Sequence, residues 1–396
     1  MSRLAEYFQG VAIKRLSAVE ADAATSNQHE FNGIRAMARL FGIARIQMDT
    51  TFLYLGEDEE ETLASEGFLT WYDAREQHET RTEYRLYFPS NEIMEMASPG
   101  DLLVVARKPD GNVLLLIVRQ GSTYERQILW LFGIMGESGT FSAETIEGDR
   151  NRELGFAERT ILETLGIEPE IVEPDWLDRI IEKFGESFPK TKLFSAFARE
   201  TLPDVSALDD PDTAISVWID QEEMLFRTLE RHIVQQKLDQ GFDDVDAFIA
   251  LSLSVQNRRK SRMGHALENH LNQIFTDHQL TFSRQKITEQ NSKPDFLFPG
   301  IEQYRDENFP AARLTMLGAK SSCKERWNQV LAEANRIDRK HLLTLEPGIS
   351  TGQTDKMQEK NLQLILPQTL HQTYETEQQT WLMNVSEFIE LVQGRQ

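Results

Sequence analysis

The stretch "LGAKSSCKERWNQVLAEA", residues 317–334, determines how the C-terminal half of this chain is interpreted. It begins as an apolar run, becomes basic at Lys320 and continues with the periodic pattern of a helix. Upstream, Asp295 begins another apolar run in "KPDFLFPG". If the two runs form neighbouring strands, both side chains can point to one end of a sheet. A carboxylate and a lysine there could hold a divalent metal and stabilise charge developing on a phosphate.

The surrounding sequence, residues 206–396, alternates helical patterns with short apolar runs. "TAISVWIDQEEMLFRTLERHIVQQKL" predicts a long amphipathic helix, because its apolar residues recur at three- and four-residue spacing. "VDAFIALSLSVQNRRKSR" and "MGHALENHLNQIFTDHQL" predict two further helices. Helices that alternate with strand-like runs predict an α/β domain built on a mixed sheet.

Residues 1–170 are predicted to form a mainly β domain. "DLLVVARKPDGNVLLLIVRQ" contains two β-rich runs around Asp110-Gly111, which is a strong hairpin signal. The prolines and acidic residues that follow favour an interdomain connection over residues 171–205, although "DRIIEKFGESF" within it has a helical pattern.

Charge is distributed unevenly along the chain. The formal net charge is −22, yet residues 257–340 contain 15 lysines and arginines against 10 acidic residues. DNA binding depends on neutralising phosphates, and a ligand meets local rather than total charge. The basic region is therefore a candidate DNA footprint, with a solvated face of scattered charges as the alternative.

The chain has one cysteine, Cys323, which excludes an internal disulfide framework and a multi-cysteine zinc site. We interpret it as a small buried side chain rather than a nucleophile. The longest apolar runs, "VLLLIV" and "ILWLFGIM", are too short to span a bilayer, and the N-terminus has no signal pattern. We therefore expect no membrane association and a reducing, cytoplasmic location.

Asp295 and Lys320 match the PD-(D/E)XK pattern of metal-dependent nucleases, although such spacing alone occurs in many unrelated chains. The pattern requires a second acid two residues before the lysine, where this chain has Gly318. Glu333, 13 residues past Lys320, and Glu268, on the helix before the first strand, are candidate replacements. The alternative for each glutamate is a solvated helix position.

Three segments together resemble the catalytic domain of the EcoRII restriction endonuclease family: "SVQNRRKSRMGHALENHL", "KPDFLFPG" and "GAKSSCKERWNQVLAEA". The resemblance covers about 180 residues up to the C-terminus. It implies that Asp295 and Glu333 hold Mg²⁺, that Lys320 assists at the scissile phosphate, and that Glu268 completes the acidic cluster. Tyr304 matches a tyrosine associated with that family's active site.

The triplet Lys324-Glu325-Arg326 matches the base-reading element of that family. Lysine and arginine donate to guanine O6 and N7, whereas glutamate accepts from cytosine N4 in the major groove. The resemblance implies a CCGG or CC(A/T)GG site, but Asn328 stands where the family often has arginine, which puts flanking contacts in question. Arg258 and Arg262, in the basic part of the preceding helix, are further expected DNA contacts.

The N-terminal half resembles, more patchily, the effector-DNA-binding domain of the same family, a B3-like pseudobarrel. The matching segments are "IKRLSAVEADAATSNQH" and "WYDAREQHETRTEYR", in which Glu79 and Tyr84 stand where lysines are expected. Basic and acidic residues alternate in the second segment, so a strand would present them on one face. The alternative is an exposed charged strand without a ligand. The expected DNA-binding residues are Lys14, His29, Arg81, Glu83 and Arg85.

Two DNA-reading modules imply a type IIE enzyme, in which one bound copy of the site activates cleavage of another. The resemblance also implies that the N-terminal domain occludes the catalytic cleft until effector DNA binds. Cutting both strands of a symmetric site requires two active sites, so a homodimer is expected. Two alternatives stay open: a DNA-binding regulator that keeps the fold without catalysis, and a nuclease that responds to methylated cytosine.

Overall fold

The computed structural model describes residues 2–21, 29–57, 61–134, 139–169, 175–323 and 327–396. The chain divides into two compact units, one formed by residues 1–169 with 348–350 and the other by residues 170–347 with 351–396. In the ranges described, no helix has the length and apolar character that crossing a membrane requires.

A mixed sheet of eight described strands, in the order β2-β5-β4-β3-β7-β6-β1-β8, forms the centre of the N-terminal unit. The predicted hairpin at Asp110-Gly111 is confirmed, since β6 and β7 pair in antiparallel register on either side of it. The strands are Gly10–Arg15 (β1), Glu30–Asn32 (β2), Ile46–Leu55 (β3), Leu63–Asp73 (β4), Tyr84–Tyr87 (β5), Leu102–Arg107 (β6), Val113–Val118 (β7) and Ser142–Thr145 (β8). The helices are Ala18–Ala21 (α1), Ala38–Phe41 (α2), Glu92–Met96 (α3), Thr123–Phe132 (α4) and Phe156–Thr164 (α5).

Both faces of this sheet are buried, which explains the continuous apolar sequences of β6 and β7. Leu103 and Val105 belong to one hydrophobic cluster, whereas Leu102 and Val104 belong to a second cluster on the opposite face. The sheet is curled, so that its two edge strands, β2 and β8, approach each other. The ring of Phe31 on β2 lies 6.4 Å from the ring of Phe141, the residue just before β8. The assignment of this curled sheet to the B3-like type stays a prediction.

The second unit combines a helical layer with a smaller sheet. Its helices are Asp175–Phe184 (α6), Thr191–Glu200 (α7), Pro211–Gln240 (α8), Val245–Asp277 (α9), Ile301–Arg305 (α10), Trp327–Leu331 (α11), Thr351–Glu359 (α12), Thr376–Gln379 (α13) and Val385–Gln393 (α14). Its strands are Ser283–Arg284 (β9), Phe296–Phe298 (β10), Thr315–Lys320 (β11), Lys340–Thr344 (β12) and Leu362–Ile365 (β13).

Residues 171–205, predicted as an interdomain connection, contain structure that belongs to the second unit. Ile180 on α6 and Phe194 and Phe197 on α7 join a buried cluster with Leu225 and Leu229 of α8. The helical pattern of "DRIIEKFGESF" therefore outweighs the prolines around it, and the chain passes from one unit to the other near residue 170.

A single helix, α9, replaces the two helices predicted between residues 245 and 280. Gly264 does not interrupt it, since a glycine inside a helix costs only about 1 kcal/mol relative to alanine. Packing on both sides of Gly264 offsets that cost: Arg262 forms an ion pair with Glu222 of α8, and Leu267 and Leu271 are buried.

The sheet of the second unit has the order β13-β12-β11-β10-β9 and is mixed, as predicted. Strands β11, β12 and β13 are parallel, and β10 is antiparallel to β11 and β9. Because Phe296 pairs with Leu317, Asp295 stands beside Gly318 at the end of the sheet where β11 finishes with Lys320.

Candidate active site

Asp295 and Lys320 meet at this end of the sheet. Lys320 Nζ lies 3.0 Å from Asp295 Oδ2, and the same oxygen accepts a 2.7 Å hydrogen bond from the backbone N–H of Ala319. Asp295 is 7% exposed, so its position is fixed by the strand beside it. The second carboxylate oxygen, Oδ1, and the lysine ammonium could then act together on a metal and the phosphate bound to it.

Gly318 explains why the expected second acid is absent from the lysine strand. A Cβ at this position would lie 2.9 Å and 3.2 Å from the two methyl carbons of Val330 on α11. Cβ contacts below 3.0 Å are essentially absent from proteins, so even an alanine would require Val330 to shift. A carboxylate has to reach the site from another element.

Glu333 supplies that carboxylate from the turn after α11. Its Oε2 is buried and has no hydrogen-bond partner among the described residues. Burial, followed by the negative charge of Asp295, raises the pKa of Glu333 to about 7, while Lys320 and Lys340 act in the opposite direction. An unpaired buried carboxylate oxygen beside a second carboxylate is costly unless a cation or a proton occupies the space.

The helix predicted around Glu333 is shorter than expected. It ends at Leu331, and Ala334 adopts a left-handed φ of 48°. The carbonyls of Ala334 and Ile337 accept hydrogen bonds from Lys340 Nζ, and the Ala334 carbonyl also accepts the Ile337 N–H in a three-residue turn. Glu333 therefore stands in a turn held by hydrogen bonds. Such a turn restricts the orientation of its carboxylate more than an exposed position on a helix would.

The pair Asp295 and Glu333 fits Mg²⁺. Within the described ranges, no group of three or more His, Cys, Asp or Glu side chains could hold a metal ion. Mg²⁺ in phosphoryl-transfer sites commonly takes only one or two carboxylates and completes its shell with water and substrate phosphates. Two carboxylates, one with an unpartnered buried oxygen, match that donor set.

Glu268 does not form a metal-holding group with Asp295 and Glu333. Its Oε2 accepts hydrogen bonds from Arg284 at 2.9 Å and from the side-chain amide of Gln285 at 2.7 Å. The backbone N–H of Gln285 donates to the carbonyl of Asp295 at 3.2 Å. Glu268 thus supports the segment before β10, and this arrangement does not bring it to a metal.

Tyr304 is buried, and its hydroxyl faces a glutamate that sequence reasoning missed. The hydroxyl lies 2.7 Å from both carboxylate oxygens of Glu289 and accepts a hydrogen bond from the backbone N–H of Arg336. Burial and Glu289 raise the pKa of Tyr304 to about 12, even though the Arg336 N–H acts against the shift. Tyr304 therefore stays protonated, and no motif in the sequence marks Glu289.

Cys323 is buried, as expected, and its backbone N–H donates to Glu346 Oε2 at 3.0 Å. Burial, together with Glu346, raises the pKa of the thiol well above its ordinary value, so the sulfur is not a nucleophile. This bond anchors the segment that leads to the predicted base-reading triplet. Lys324, Glu325 and Arg326 themselves lie outside the described residues.

Arg262, predicted as a DNA contact, is 6% exposed and bound within its own unit, so the structure does not present it to DNA and the prediction stays untested. Its guanidinium donates to Glu222 at 3.1 Å and to Glu223, and it lies 4.0 Å from the ring centre of Phe226. Arg258 is exposed and lies 4.2 Å from the Phe188 ring centre, beside a cleft of about 350 Å³.

Lys14 is likewise unavailable in this structure. It is 3% exposed, its Nζ lies 2.5 Å from Glu20, and it lies over the ring of Phe141. Alternation along β1 places it on the inner side of the curled sheet, which the sequence alone did not indicate. His29 is half-buried, with Nε2 3.5 Å from the Ser90 hydroxyl.

The predicted alternating face of Arg81, Glu83 and Arg85 is not present, because β5 begins only at Tyr84. Glu83 instead pairs with Arg85 and with Arg75. The hydrogen bond from Arg85 is the main cause of the lowered pKa of Glu83. Glu83 and Arg85 therefore neutralise each other, whereas Arg81 is exposed and lies before the strand.

The C-terminal half of the chain is similar to known proteins. Residues 226–389 match the family model described as EcoRII C terminal. Over 186 residues the chain is 43% identical to the type II restriction enzyme EcoRII of Escherichia coli, and the match covers 47% of this chain and 46% of that protein. The chain therefore aligns with about half the length of this relative, and the predicted resemblance to an EcoRII-type enzyme is confirmed.

Two solved structures are also similar. Metal-depleted Ecl18kI in complex with uncleaved, modified DNA has a TM-score of 0.47 and 19% identity, covering 57% of this chain and 85% of that chain. The complex of restriction endonuclease PspGI with substrate DNA has a TM-score of 0.45 and 12% identity, covering 52% and 93%.

Proposed function

We propose that this chain, which carries an EcoRII-type C-terminal region, is a type II restriction endonuclease that makes Mg²⁺-dependent double-strand cuts at a short DNA site. The observation that carries the proposal is the unpartnered buried oxygen of Glu333 beside Asp295 and Lys320. An unpartnered buried carboxylate oxygen next to a second carboxylate leaves a place for a cation, and the lysine at the same sheet end supplies the positive group that a phosphate requires.

Different residues would bind the metal and stabilise the phosphate during phosphodiester hydrolysis. Asp295 and Glu333 would hold Mg²⁺, which when bound polarises the phosphate and lowers the pKa of the attacking water. Lys320, held at 3.0 Å from Asp295, is in reach of a phosphate oxygen at the same edge and would stabilise its developing charge. The Ala319 N–H keeps Asp295 from rotating away.

Recognition of a CCGG or CC(A/T)GG site by Lys324, Glu325 and Arg326 is part of the proposal. The segment before the triplet is fixed through Cys323 and Glu346, so base contacts there would be made close to the scissile phosphate. Two such chains, related by a two-fold axis, would cut both strands of a palindrome-like site.

Digestion of plasmid DNA tests the function directly. Methylated and unmethylated plasmids carrying both kinds of site are incubated with the protein in Mg²⁺ or in EDTA, and the ends are sequenced. We expect discrete double-strand ends within these sites in Mg²⁺ only. Sequence-specific binding without cleavage in Mg²⁺ would instead assign the chain to DNA-binding regulators, and a methyl requirement would identify the nuclease that responds to methylated cytosine.

Restraint of the nuclease by the N-terminal unit, released by an effector copy of the site, is a further part of the proposal. Residues 1–169 contain 28 acidic against 16 basic residues, so the N-terminal unit could compete with DNA for the basic region. Deleting residues 1–169 should raise cleavage of single-site DNA about tenfold, which corresponds to about 1.4 kcal/mol of lost competition. The measurement is the initial cleavage rate with and without added oligonucleotide duplex.

The position of the truncation matters in that experiment. A deletion of residues 1–200 would also remove α6 and α7, whose Ile180, Phe194 and Phe197 pack against α8. Each buried apolar side chain contributes about 1.5–3 kcal/mol, so the longer deletion should unfold at a lower temperature and serves as a control for damage. An unchanged single-site rate in the shorter variant would contradict restraint by the N-terminal unit.

A further inference from the structure

The turn that carries Glu333 is conformationally unfavourable by itself. Ala334, the next residue, has a φ of 48°, in the left-handed region that non-glycine residues rarely adopt. Such a backbone persists only where its surroundings hold it, and it commonly occurs at functional sites. The contacts around residues 333–337 therefore decide where the Glu333 carboxylate points.

One side of this turn is held by Tyr304 and Glu289. The Tyr304 hydroxyl donates to the Glu289 carboxylate, which leaves its oxygen able to accept the Arg336 N–H at 3.2 Å. Glu289 Oε2 also accepts the Asn335 N–H at 3.4 Å. Two consecutive backbone N–H groups, two and three residues after Glu333, thus depend on one carboxylate and one phenol.

The other side of the turn is held by two cations, the buried Lys340 and the half-buried Arg336. Lys340 Nζ donates to the carbonyls of Ala334 at 2.7 Å and Ile337 at 2.6 Å. The Arg336 guanidinium donates to the carbonyls of Asp306 and Phe309, both at 2.9 Å, which ties the turn to the segment after α10. The turn is therefore clamped from both sides.

We propose that Glu289 is a positioning residue for metal binding, which acts through Tyr304 on the Glu333 turn. The inference rests on the proposed function and deepens it, because it makes Tyr304 part of the metal-site support rather than a group that touches DNA. Glu289 fixes the orientation of the Tyr304 hydroxyl. Because the carboxylate can only accept, the hydroxyl hydrogen points to Glu289, and the hydroxyl oxygen is left to accept the Arg336 N–H. A glutamine could present its NH₂ group and reverse that direction.

The variants Glu289→Gln and Tyr304→Phe test this assignment, with Glu302→Gln as the matched control. Glu302 is an exposed glutamate on α10, two residues from Tyr304, so its change removes one charge without touching the clamp. Mn²⁺ binding to the full-length protein without DNA is measured by electron paramagnetic resonance. We expect both test variants to bind Mn²⁺ about 10–100-fold more weakly, the usual effect of losing a support of a metal ligand, and the control to match the parent.

Cleavage gives the second readout. In the test variants the Mg²⁺ concentration for half-maximal cleavage should rise by the same factor as the Mn²⁺ dissociation constant, whereas the rate at saturating Mg²⁺ and metal-free DNA binding should match the parent. Unchanged Mn²⁺ affinity in folded Glu289→Gln protein would overturn the inference. So would a fall in the saturated rate at unchanged metal affinity, because it would place Tyr304 at the substrate.

Measurements on the parent protein distinguish a failure of the positioning role of Glu289 from a failure of the proposed function. If it binds Mn²⁺ and cuts DNA while the variants retain parental metal affinity, the proposed function stands and the positioning role falls. If the parent neither binds Mn²⁺ nor cuts, the proposed function fails and the positioning role fails with it. Thermal unfolding of each variant identifies misfolding, and the conservative Glu289→Gln change keeps the test valid if Tyr304→Phe is unstable.

Discussion

Replacing Lys320 with alanine should lower the rate of DNA cleavage by about 10²–10³-fold at saturating Mg²⁺, the usual effect of removing one charge-stabilising donor from a transition state. Lys320 Nζ lies 3.0 Å from Asp295 at the end of β11, so it stands beside the place where a phosphate would bind a metal held by Asp295 and Glu333. DNA binding without metal should remain within a few-fold of the parent, because one phosphate contact contributes a small part of the total.

Single-turnover cleavage and metal-free DNA binding are the measurements, with Lys356→Ala as the control. Lys356 is an exposed lysine on α12, so its loss changes the net charge equally without affecting the site. Full activity of the Lys320→Ala protein would eliminate the assigned site, whereas loss of binding in parallel with cleavage would make Lys320 a DNA-docking residue.

The pairing of the two strands at this site could be predicted, because each strand is marked by a short apolar run in its own stretch of sequence. Asp295 and Lys320 each stand at the edge of a short apolar run, and antiparallel pairing of the two runs brings both residues to one sheet end. The missing acid at Gly318 was visible in the sequence, but its cause was not. Only the fold shows that Val330 occupies the space that a side chain at this position would need.

The support around Glu333 could not be predicted, because it depends on pairs far apart in sequence. Glu289 and Asn335 are separated by 46 residues, and Tyr304 and Arg336 by 32. Periodicity favoured a helix through Glu333, yet long-range hydrogen bonds end it at Leu331 and stabilise a left-handed residue instead. Local propensity is a weak prior wherever tertiary contacts of this kind compete with it.

Charged residues show the same limit, because sequence reports a charge but not its partner. The family resemblance predicts Lys14 as a DNA contact, and the basic segment around Arg262 predicts the same for that residue. The structure pairs Lys14 with Glu20, and it pairs Arg262 with Glu222, 40 residues away on the neighbouring helix. A basic residue inside a basic segment is therefore a DNA contact only if its own fold leaves it a free side.

Replacing Arg262 with alanine should destabilise the C-terminal unit by about 3–5 kcal/mol, the cost of breaking a buried ion pair and leaving its partner charged. That partner, Glu222, is completely buried between α8 and α9, and His270 Nε2 lies 2.9 Å from its other oxygen. His270 cannot neutralise it easily, since burial keeps the pKa of this histidine below its ordinary value. Urea unfolding followed by circular dichroism measures the change.

Arg258→Ala is the matched comparison, because Arg258 is on the same helix one turn earlier but is exposed over Phe188. It should shift the free energy of unfolding by less than about 1 kcal/mol, as expected for a cation–π contact at an exposed site, and weaken DNA binding if it faces phosphate. Arg262→Ala should show the reverse: a large loss of stability, with DNA affinity retained in the folded fraction. Parental stability of the Arg262→Ala protein combined with lost DNA affinity would restore Arg262 as a DNA contact and show that the buried pair opens when DNA binds.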